Sequence, residues 1–313
     1  MRFPPVQLPE AAVRLRAEIR EVLAAELRAG TFEPQCDSWQ GAASPEFSRK
    51  LGQRGWIGMT WPRRYGGHER TGLERFVVAA ELLAAGAPVA AHWNTDRQTG
   101  PLLLRYGMEA QRLRFLPDII RGECFFAVGL SEPDAGSDLA SIRAAARREG
   151  DAWRLTGRKL WVSHAHFAHY LVVLCRTSPL GEDRRAGMTQ FIVPLPSPGV
   201  TIRPVRLLSG EHQFNEVLLD DVVVPDDLVV GEVGGAWRQV VAELAFERSG
   251  PERFLSAYPL VAEATAGLGA APGDRGAGAL GRLASRLWTL HQMSLSLAAQ
   301  LDAGAAPEIE AAM

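Results

Sequence analysis

The sequence predicts an α+β protein in which a helical segment, a β domain and a second helical segment follow one another. Apolar residues recur at helical spacing up to about residue 121, short β-rich segments follow, and helical spacing returns after Gly234. Alternating strand and helix units are absent, which argues against a doubly wound sheet. The predicted domains are an N-terminal α-helical domain at 1–121, a middle β-barrel or sandwich at 122–232, and a partial C-terminal helical domain at 233–313.

The first helix is expected to begin at Pro9-Glu10, where an amphipathic pattern starts whose apolar residues include Leu15 and Ile19. The segment GWIGMTWPRRYGG contains the glycines and prolines that interrupt helices. Further helices are predicted on both sides of it, at 46–54, 73–85, 96–106 and 109–120.

Segments rich in β-branched and aromatic residues follow Gly122, at the interval typical of a barrel or sandwich. Three tryptophans, Trp56, Trp61 and Trp153, are expected in the core. The predicted strands are CFFAVGL, AWRLTG, KLWVS, YLVVLCR, TQFIVPL, VTIRPV and NEVLLDDVVVP.

The C-terminal segment is predicted to contain one long helix from about Trp237 to about Ala266. The composition of GLGAAPGDRGAGALG predicts a flexible connector after it. A last amphipathic helix is expected from about Leu280 to about Leu301.

The composition describes a soluble globular protein of 313 residues, with 47% hydrophobic residues and a formal net charge of −2. This charge provides no global field for nucleic acid or for an anionic membrane. No apolar run approaches the roughly 20 residues of a membrane helix, and the N-terminus lacks the apolar core of a signal peptide. We therefore expect a cytoplasmic protein without nucleic-acid or membrane partners.

Cysteine and histidine spacing gives no sign of a disulfide or a metal site. The chain has three cysteines without a CxxC pattern, which are expected to be reduced thiols. Three clustered histidines, His164, His166 and His169, lack the HxxxH and HExxH patterns, so no metal is expected.

Three short motifs carry the chemistry. The first motif, at 130–142, reads LSEPDAGSDLASI; the second, at 157–165, reads GRKLWVSHA; the third, at 246–250, reads FERSG. In the first motif, a strand ending at Leu130-Ser131 supplies a backbone N–H and a hydroxyl, and Gly136-Ser137 forms a turn whose N–H groups suit a phosphate or carbonyl oxygen. The alternative is a structural turn held by its aspartates.

The other two motifs supply an aromatic face and a carboxylate. Trp161 and Ser163 stand two apart on a predicted strand and therefore share one face, although an ordinary half-buried tryptophan is the alternative. Glu247 follows apolar residues on a predicted helix, where desolvation raises a carboxyl pKa and favours proton abstraction. A surface Glu–Arg pair is the alternative, and Glu243 and Glu252 are the other candidate carboxylates.

Together, and in this order, the three motifs resemble the acyl-CoA dehydrogenase family of flavoproteins, from about residue 45 onward. The resemblance implies an FAD-dependent oxidoreductase of fatty acid or lipid metabolism that converts an acyl-CoA, or another acyl thioester, to the trans-2-enoyl thioester. Glu247 would take the α-proton, flavin N5 would take the β-hydride, and an electron-transfer flavoprotein would be the acceptor. The implied cofactor contacts are Leu130, Ser131, Gly136, Ser137, Trp161 and Ser163, and the implied substrate contacts are Ser137 and Arg248.

The chain departs from the family at its C-terminal domain, which is expected to end early. The resemblance places a late catalytic glutamate and a glycine-rich FAD contact in the absent part, which favours Glu247 as the base. A split pair, a short homologue with a full-length partner, or a truncated product would each explain the length. Exposure of an apolar stripe predicts a homo- or hetero-oligomer, and a chain that supplies the missing helices is one such partner. The stripe consists of Leu287, Leu290, Met293 and Leu297.

Other functions remain open on the same fold. Relatives oxidise aminoacyl groups tethered to carrier proteins, or steroid side-chain CoA esters, and the sequence has no pocket signature that separates these substrates. Other relatives are flavin monooxygenases or nitroalkane oxidases, which typically replace the glutamate, so Glu247 argues against the first of these two classes. A catalytically silent subunit that partners a second dehydrogenase chain is the non-enzyme alternative.

Overall fold

The computed structural model describes residues 2–248, 250–271 and 273–305, with the backbone alone at 244–248. Seven α-helices precede the sheet, and the predicted helical character of 10–121 is confirmed. They are α1 (Glu10–Arg28), α2 (Ser38–Gly41), α3 (Pro45–Gln53), α4 (Gly72–Ala84), α5 (Ala90–Asn94), α6 (Gly100–Tyr106) and α7 (Glu109–Ile120).

A π-helical turn at Thr95–Thr99, here called the π-turn, joins α5 to α6. The helix predicted at 96–106 therefore begins too late, because the helical path already starts at Ala90. Alanine and tryptophan at the start of α5 are buried, so periodicity does not mark the beginning of the helix there.

The middle of the chain forms one eight-stranded sheet in the order β6-β7-β3-β2-β4-β5-β8, with β1 parallel to β4. Its path does not close between β6 and β8, so it is an open sheet rather than a closed barrel. The strands are β1 (Phe126–Gly129), β2 (Ala145–Glu149), β3 (Ala152–Ser163), β4 (Tyr170–Arg176), β5 (Met188–Pro194), β6 (Val200–Arg206), β7 (His212–Pro225) and β8 (Val229–Val230).

One apolar core extends through the N-terminal helices and the sheet. Trp56, Trp61 and Trp153 are buried in it, as predicted. Their burial fixes the loop after α3 and the start of β3 against the same core, so the helices and the sheet form a continuous support for the loops at the strand ends.

The C-terminal segment corrects two predictions. The single helix expected from about Trp237 to about Ala266 is three helices, because Pro251 and Pro259 each remove a backbone donor and start a new helix. The expected connector is helical from Gly273 onward, since its alanines, leucines and arginines favour a helix despite the glycines. The helices are α8 (Ala236–Arg248), α9 (Glu252–Leu255), α10 (Tyr258–Leu268) and α11 (Gly273–Asp302).

The second half of α11 packs against α4, whereas its first half is exposed. Leu297 is buried, so its predicted exposure was wrong. Leu290 is exposed, and Leu287 and Met293 are half-buried. None of the helices in the described ranges is long and apolar enough to cross a membrane.

Asp302, at the end of α11, caps the N-terminus of α4. Its carboxylate accepts hydrogen bonds from the N–H groups of Gly72 and Leu73, beside the capping box of Thr71 and Glu74. Asp302→Ala is expected to lower the free energy of unfolding by about 1 kcal/mol, because two donors at the start of α4 lose their acceptor. Urea unfolding measures this change, and Glu263→Ala on exposed α10 is the control, expected to stay within about 0.5 kcal/mol. Equal stability of the two variants would contradict the cap.

Candidate functional site

The first motif forms the loop between β1 and β2, and Glu132 closes that loop. The backbone groups of Glu132 and Ala135 exchange hydrogen bonds of 2.9 and 3.1 Å. The Glu132 carboxylate accepts hydrogen bonds from the N–H groups of Arg143 at 2.7 Å and Ala144 at 2.9 Å. The loop is thus tied at both ends, and Gly136 stands exposed at its tip, where a Cβ would have no atom within 4 Å.

A buried ion pair joins the first motif to the second. The Lys159 ammonium lies 2.8 Å from the Glu132 carboxylate and donates a second hydrogen bond, of 3.0 Å, to the Leu130 carbonyl. Burial alone raises the pKa of Glu132, but the charge and hydrogen bond of Lys159, with the two backbone donors, lower it below its ordinary value. The two motifs therefore meet at a carboxylate that stays ionised.

Trp161 and Ser163 follow Lys159 on β3, next to the first motif. The N–H of Leu160 donates to the Ser131 carbonyl at 3.0 Å, so Ser131 lies beside this part of the strand. The pairing of β3 with β7 shifts between Lys159 and Val162, and Trp161 has a φ of 61°. The regular strand predicted here is therefore interrupted by a bulge.

The bulge leaves the Trp161 side chain 54% exposed, while Val162 is buried and Ser163 is half-buried. One edge of the indole contacts Phe214 of β7, with 5.8 Å between ring centroids. A large exposed aromatic ring with a left-handed backbone conformation is a costly arrangement, which is typical of functional sites. The exposed indole offers a planar ligand an apolar face against which to pack.

Two arginines, which no sequence motif indicates, form hydrogen bonds with the C-terminal half of the first motif. Arg176 on β4 is buried, and its guanidinium donates to the carbonyls of Ile142 at 3.0 Å and Arg184 at 2.8 Å, and to two further carbonyls. Arg184 in turn donates to Asp138 at 2.6 Å. Asp138 thus has the structural role proposed as the alternative for this turn, while the Gly136-Ser137 pair stays exposed.

The start of α8 packs on the first motif through a separate apolar cluster. The buried residues Ala236 and Val240 of α8 share this cluster with Ala135, and Leu130 and Leu139 pack against it. Since α8 carries the first half of the third motif, this contact brings the helix of the third motif against the loop of the first.

Glu243, one of the candidate carboxylates, faces the interior from α8. It is buried and accepts a hydrogen bond of 2.9 Å from the side-chain amide of Gln190 on β5. Burial raises its pKa to about 7, and the Gln190 hydrogen bond only partly offsets this. Glu243 is therefore largely a neutral acid below pH 7.

Glu247, the predicted base, lies one helical turn after Glu243 on α8, and Arg248 ends the helix. The side chains of both residues lie outside the part of the chain that the structure describes. The third candidate, Glu252 on α9, is 1% exposed and forms an ion pair with Arg97 of the π-turn.

The clustered histidines lie between the end of β3 and the start of β4 and pack on aromatic rings. His166 stacks on His212 with 4.0 Å between ring centroids, and the side-chain amide of Asn215 is a hydrogen-bond partner of both rings. Burial lowers the pKa of His164 to about 4. Within the described ranges, no group of three or more His, Cys, Asp or Glu side chains is arranged to hold a metal ion.

Comparison with known proteins finds relatives over most of the chain. The family model for the N-terminal domain of acyl-CoA dehydrogenases matches residues 9–123, and the model for their middle domain matches residues 127–222. Acyl-CoA dehydrogenase IpdE1 of Mycobacterium tuberculosis is 39% identical over 202 residues, which are 64% of this chain and 52% of that protein. The chain thus spans about half the length of this relative.

Two solved structures share the fold over nearly the whole chain. A structure described as the Tcur3481-Tcur3483 steroid ACAD is 29% identical, with a TM-score of 0.87, and the match covers 97% of this chain and 80% of that one. The ChsE4-ChsE5 complex from Mycobacterium tuberculosis is 28% identical, with a TM-score of 0.81, and the match covers 99% and 80%.

Lys159→Met is expected to lower the free energy of unfolding by about 3–5 kcal/mol, because it leaves the Glu132 carboxylate buried without its cation. Urea unfolding tests this, with Arg238→Met as the control, since the exposed Arg238–Glu232 pair contributes at most about 1 kcal/mol. The double variant Lys159→Met/Glu132→Gln is expected to regain part of the loss. A Lys159→Met protein as stable as the control would disprove the role of the pair.

Glu243 is expected to make the protein less stable as the pH rises. Its pKa is about 7 in the folded chain, against an ordinary value of 4.5, so the stabilising neutral form is fully present below pH 4.5 and is lost as the pH rises through 7. The free energy of unfolding is expected to fall by about 3 kcal/mol in total over this pH range. Urea titrations of wild type and Glu243→Gln between about pH 5 and about pH 8 measure it. Parallel pH profiles for the two proteins would rule out this assignment.

Proposed function

Since the chain belongs to the acyl-CoA dehydrogenase family, we propose that it removes one hydrogen each from the α and β carbons of an acyl-CoA thioester. The product is the trans-2-enoyl thioester. The observation that carries this proposal is the meeting of the motifs: the Lys159–Glu132 pair joins the first motif to the second, and α8 packs on the same loop. A dehydrogenase needs a cofactor surface and a carboxylate at one place, and this arrangement supplies both.

The residues around the first two motifs fit FAD. Ser131 and Ser163 are half-buried residues that each carry a hydroxyl donor, Trp161 is exposed on the same strand as Ser163, and the turn at Gly136-Ser137 is open to solvent. Leu130 completes the proposed cofactor contacts through its backbone N–H. FAD, when bound, supplies an acceptor for the β-hydrogen, and hydrogen-bond donors at its edge stabilise the charge of its reduced form.

Glu247 is the proposed base, and its competitors have other roles. The buried Glu243 carboxyl accepts a hydrogen bond from the Gln190 side chain of β5, and Glu252 pairs with Arg97. Glu247 lies one turn after Glu243, on the helix α8, whose start packs against the loop of the first motif. In this proposal it takes the α-proton, while Ser137 and Arg248 contact the thioester substrate.

We propose a CoA thioester of a bulky, polycyclic acyl group as the substrate class, with an electron-transfer flavoprotein as the acceptor. The support is the 29% identity to a protein described as a steroid ACAD.

A hetero-oligomer is proposed as the working form, because a relative of 28% identity was solved as a complex of two named chains. Exposed apolar side chains on three C-terminal helices suit such a partner, and they are Val241, Leu260 and Trp288. The division at 121/122 and 232/233 into three domains is likewise a proposal, as is a cytoplasmic location.

Glu247→Gln is expected to bind FAD but to lose flavin bleaching, because the amide cannot accept the α-proton. The measurement is anaerobic absorbance at the flavin band before and after a panel of acyl-CoA esters that includes steroid side-chain esters. We expect bleaching about 100- to 10,000-fold slower than in wild type, since a general base contributes about 10²–10⁴-fold. Glu263→Gln, on exposed α10, is the matched control and should bleach like wild type.

Other outcomes separate the alternatives. Full loss of bleaching in Glu243→Gln or Glu252→Gln, with activity kept in Glu247→Gln, would move the base to that residue. Bound flavin that bleaches only with a carrier-protein-tethered acyl or aminoacyl group would assign the second substrate class. A protein that binds no flavin and activates a separate dehydrogenase chain would be the silent subunit, and the proposed reaction would then be wrong.

A further inference from the structure

A buried cluster of charged side chains lies where α8 ends, apart from the residues that are proposed to touch cofactor or substrate. Arg97 of the π-turn and Glu252 of α9 pair at 3.3 Å, with side chains only 7% and 1% exposed. The Arg97 guanidinium also lies 5.1 Å from the ring centre of the buried Trp93. Two elements far apart in the sequence are thus joined by charges that water does not reach.

The cluster continues to a second ion pair. Asp96, the neighbour of Arg97, lies 3.7 Å from Arg75 of α4 and accepts a hydrogen bond of 2.8 Å from the N–H of Gly58. Burial lowers the pKa of Arg75, and the charge of Asp96 opposes this shift. Two cations and two anions therefore balance one another at the junction of α4, the π-turn and α9. Buried charges that lose a partner are strongly unfavourable, so each pair depends on fixed geometry.

Gly250 shows how closely the chain leaving α8 approaches this cluster. A Cβ at this position would lie 2.0 Å from a guanidinium nitrogen of Arg97 and 2.0 Å from a carboxylate oxygen of Glu252. That carboxylate oxygen, Oε2, is buried and has no hydrogen-bond partner within the described part of the chain. Only a glycine leaves room for the ion pair, and the pair in turn limits where the backbone can run.

We propose that Arg97 and Glu252 are positioning residues that fix the end of α8 and thereby the place of Glu247, three residues before Gly250. This inference rests on the proposed function for the role of Glu247, but the contact itself is independent of it. Neither residue of the pair touches the reacting atoms in this proposal. A displacement of the helix end by about 1 Å is enough to slow a positioned proton transfer about 100-fold.

The test compares three changes at the cluster with matched changes elsewhere. Glu252→Gln keeps the shape and removes the charge, Arg97→Met removes the cation, and Gly250→Ala adds the Cβ. Arg63→Met and Glu69→Gln are the controls for charge, because that exposed pair has the same 3.3 Å separation.

Gly267→Ala is the control for the glycine, since no atom lies within 4 Å of a Cβ at this exposed position. Arg97→Lys restores the cation without the planar guanidinium and is expected to recover part of the loss caused by Arg97→Met.

The first measurement is amide hydrogen exchange of the whole chain, which needs no activity. Exchange over 244–256 is expected to be at least about tenfold faster in the cluster variants than in wild type, with exchange in α1 and β3 unchanged. The second is anaerobic flavin reduction, where the maximal rate should fall at least about tenfold while the substrate concentration at half-maximal rate changes less than about threefold. The control variants should match wild type in both.

The outcomes distinguish the two proposals. Unchanged exchange over 244–256 in Glu252→Gln and Arg97→Met would overturn the positioning role, even if wild type bleaches. A maximal rate unchanged in all three cluster variants would also overturn it. Faster local exchange in the cluster variants, together with a wild-type protein that never bleaches, would keep the contact and reject the proposed reaction. Should Arg97→Met fail to fold, the isosteric Glu252→Gln and the conservative Arg97→Lys still decide the matter.

Discussion

The ion pair between Lys159 and Glu132 is the interaction on which the site depends. An ammonium and a carboxylate are held together away from water, and each is satisfied by further hydrogen bonds to backbone groups of the same loop. Because a lone buried charge is so unfavourable, the loop after β1 and the middle of β3 can only fold together. The same contact, with the hydrogen bond from the Leu160 N–H to the Ser131 carbonyl, holds Ser131 beside the part of β3 that carries Trp161.

The protonation state of Glu243 gives α8 a second constraint. A carboxylate at this position would bring a charge into the apolar contact between α8 and β5, and burial opposes this by raising the pKa to about 7. The neutral acid keeps its hydrogen bond from Gln190 and leaves no negative charge one turn before Glu247. A charged carboxylate near the proposed base would raise the pKa of that base and make it harder to ionise. A neutral Glu243 does not have this effect, so the two carboxyl groups are compatible on one helix.

Periodicity and motif order were sufficient to predict the three-part fold and the helices α1, α3, α4 and α7. They could not predict β2, whose alanines and arginines carry no strand pattern, because its place depends on pairing with β3. Lys159 was missed as well, since a lysine in a strand is usually solvated and only the tertiary contact with Glu132 buries it. The bulge at Trp161 likewise arises from pairing with β7, which a single strand does not encode.

The π-turn explains how the N-terminal helices act on a site built from the sheet and α8. Its wider helical turn directs three consecutive residues to three partners. Thr95 accepts a hydrogen bond of 2.8 Å from the N–H of Phe126 at the start of β1, Asp96 accepts one from Gly58, and Arg97 pairs with Glu252. A regular α-helix would rotate these side chains to different positions. One local irregularity therefore sets the sheet, the loop after α3 and the start of α9 in a fixed relation.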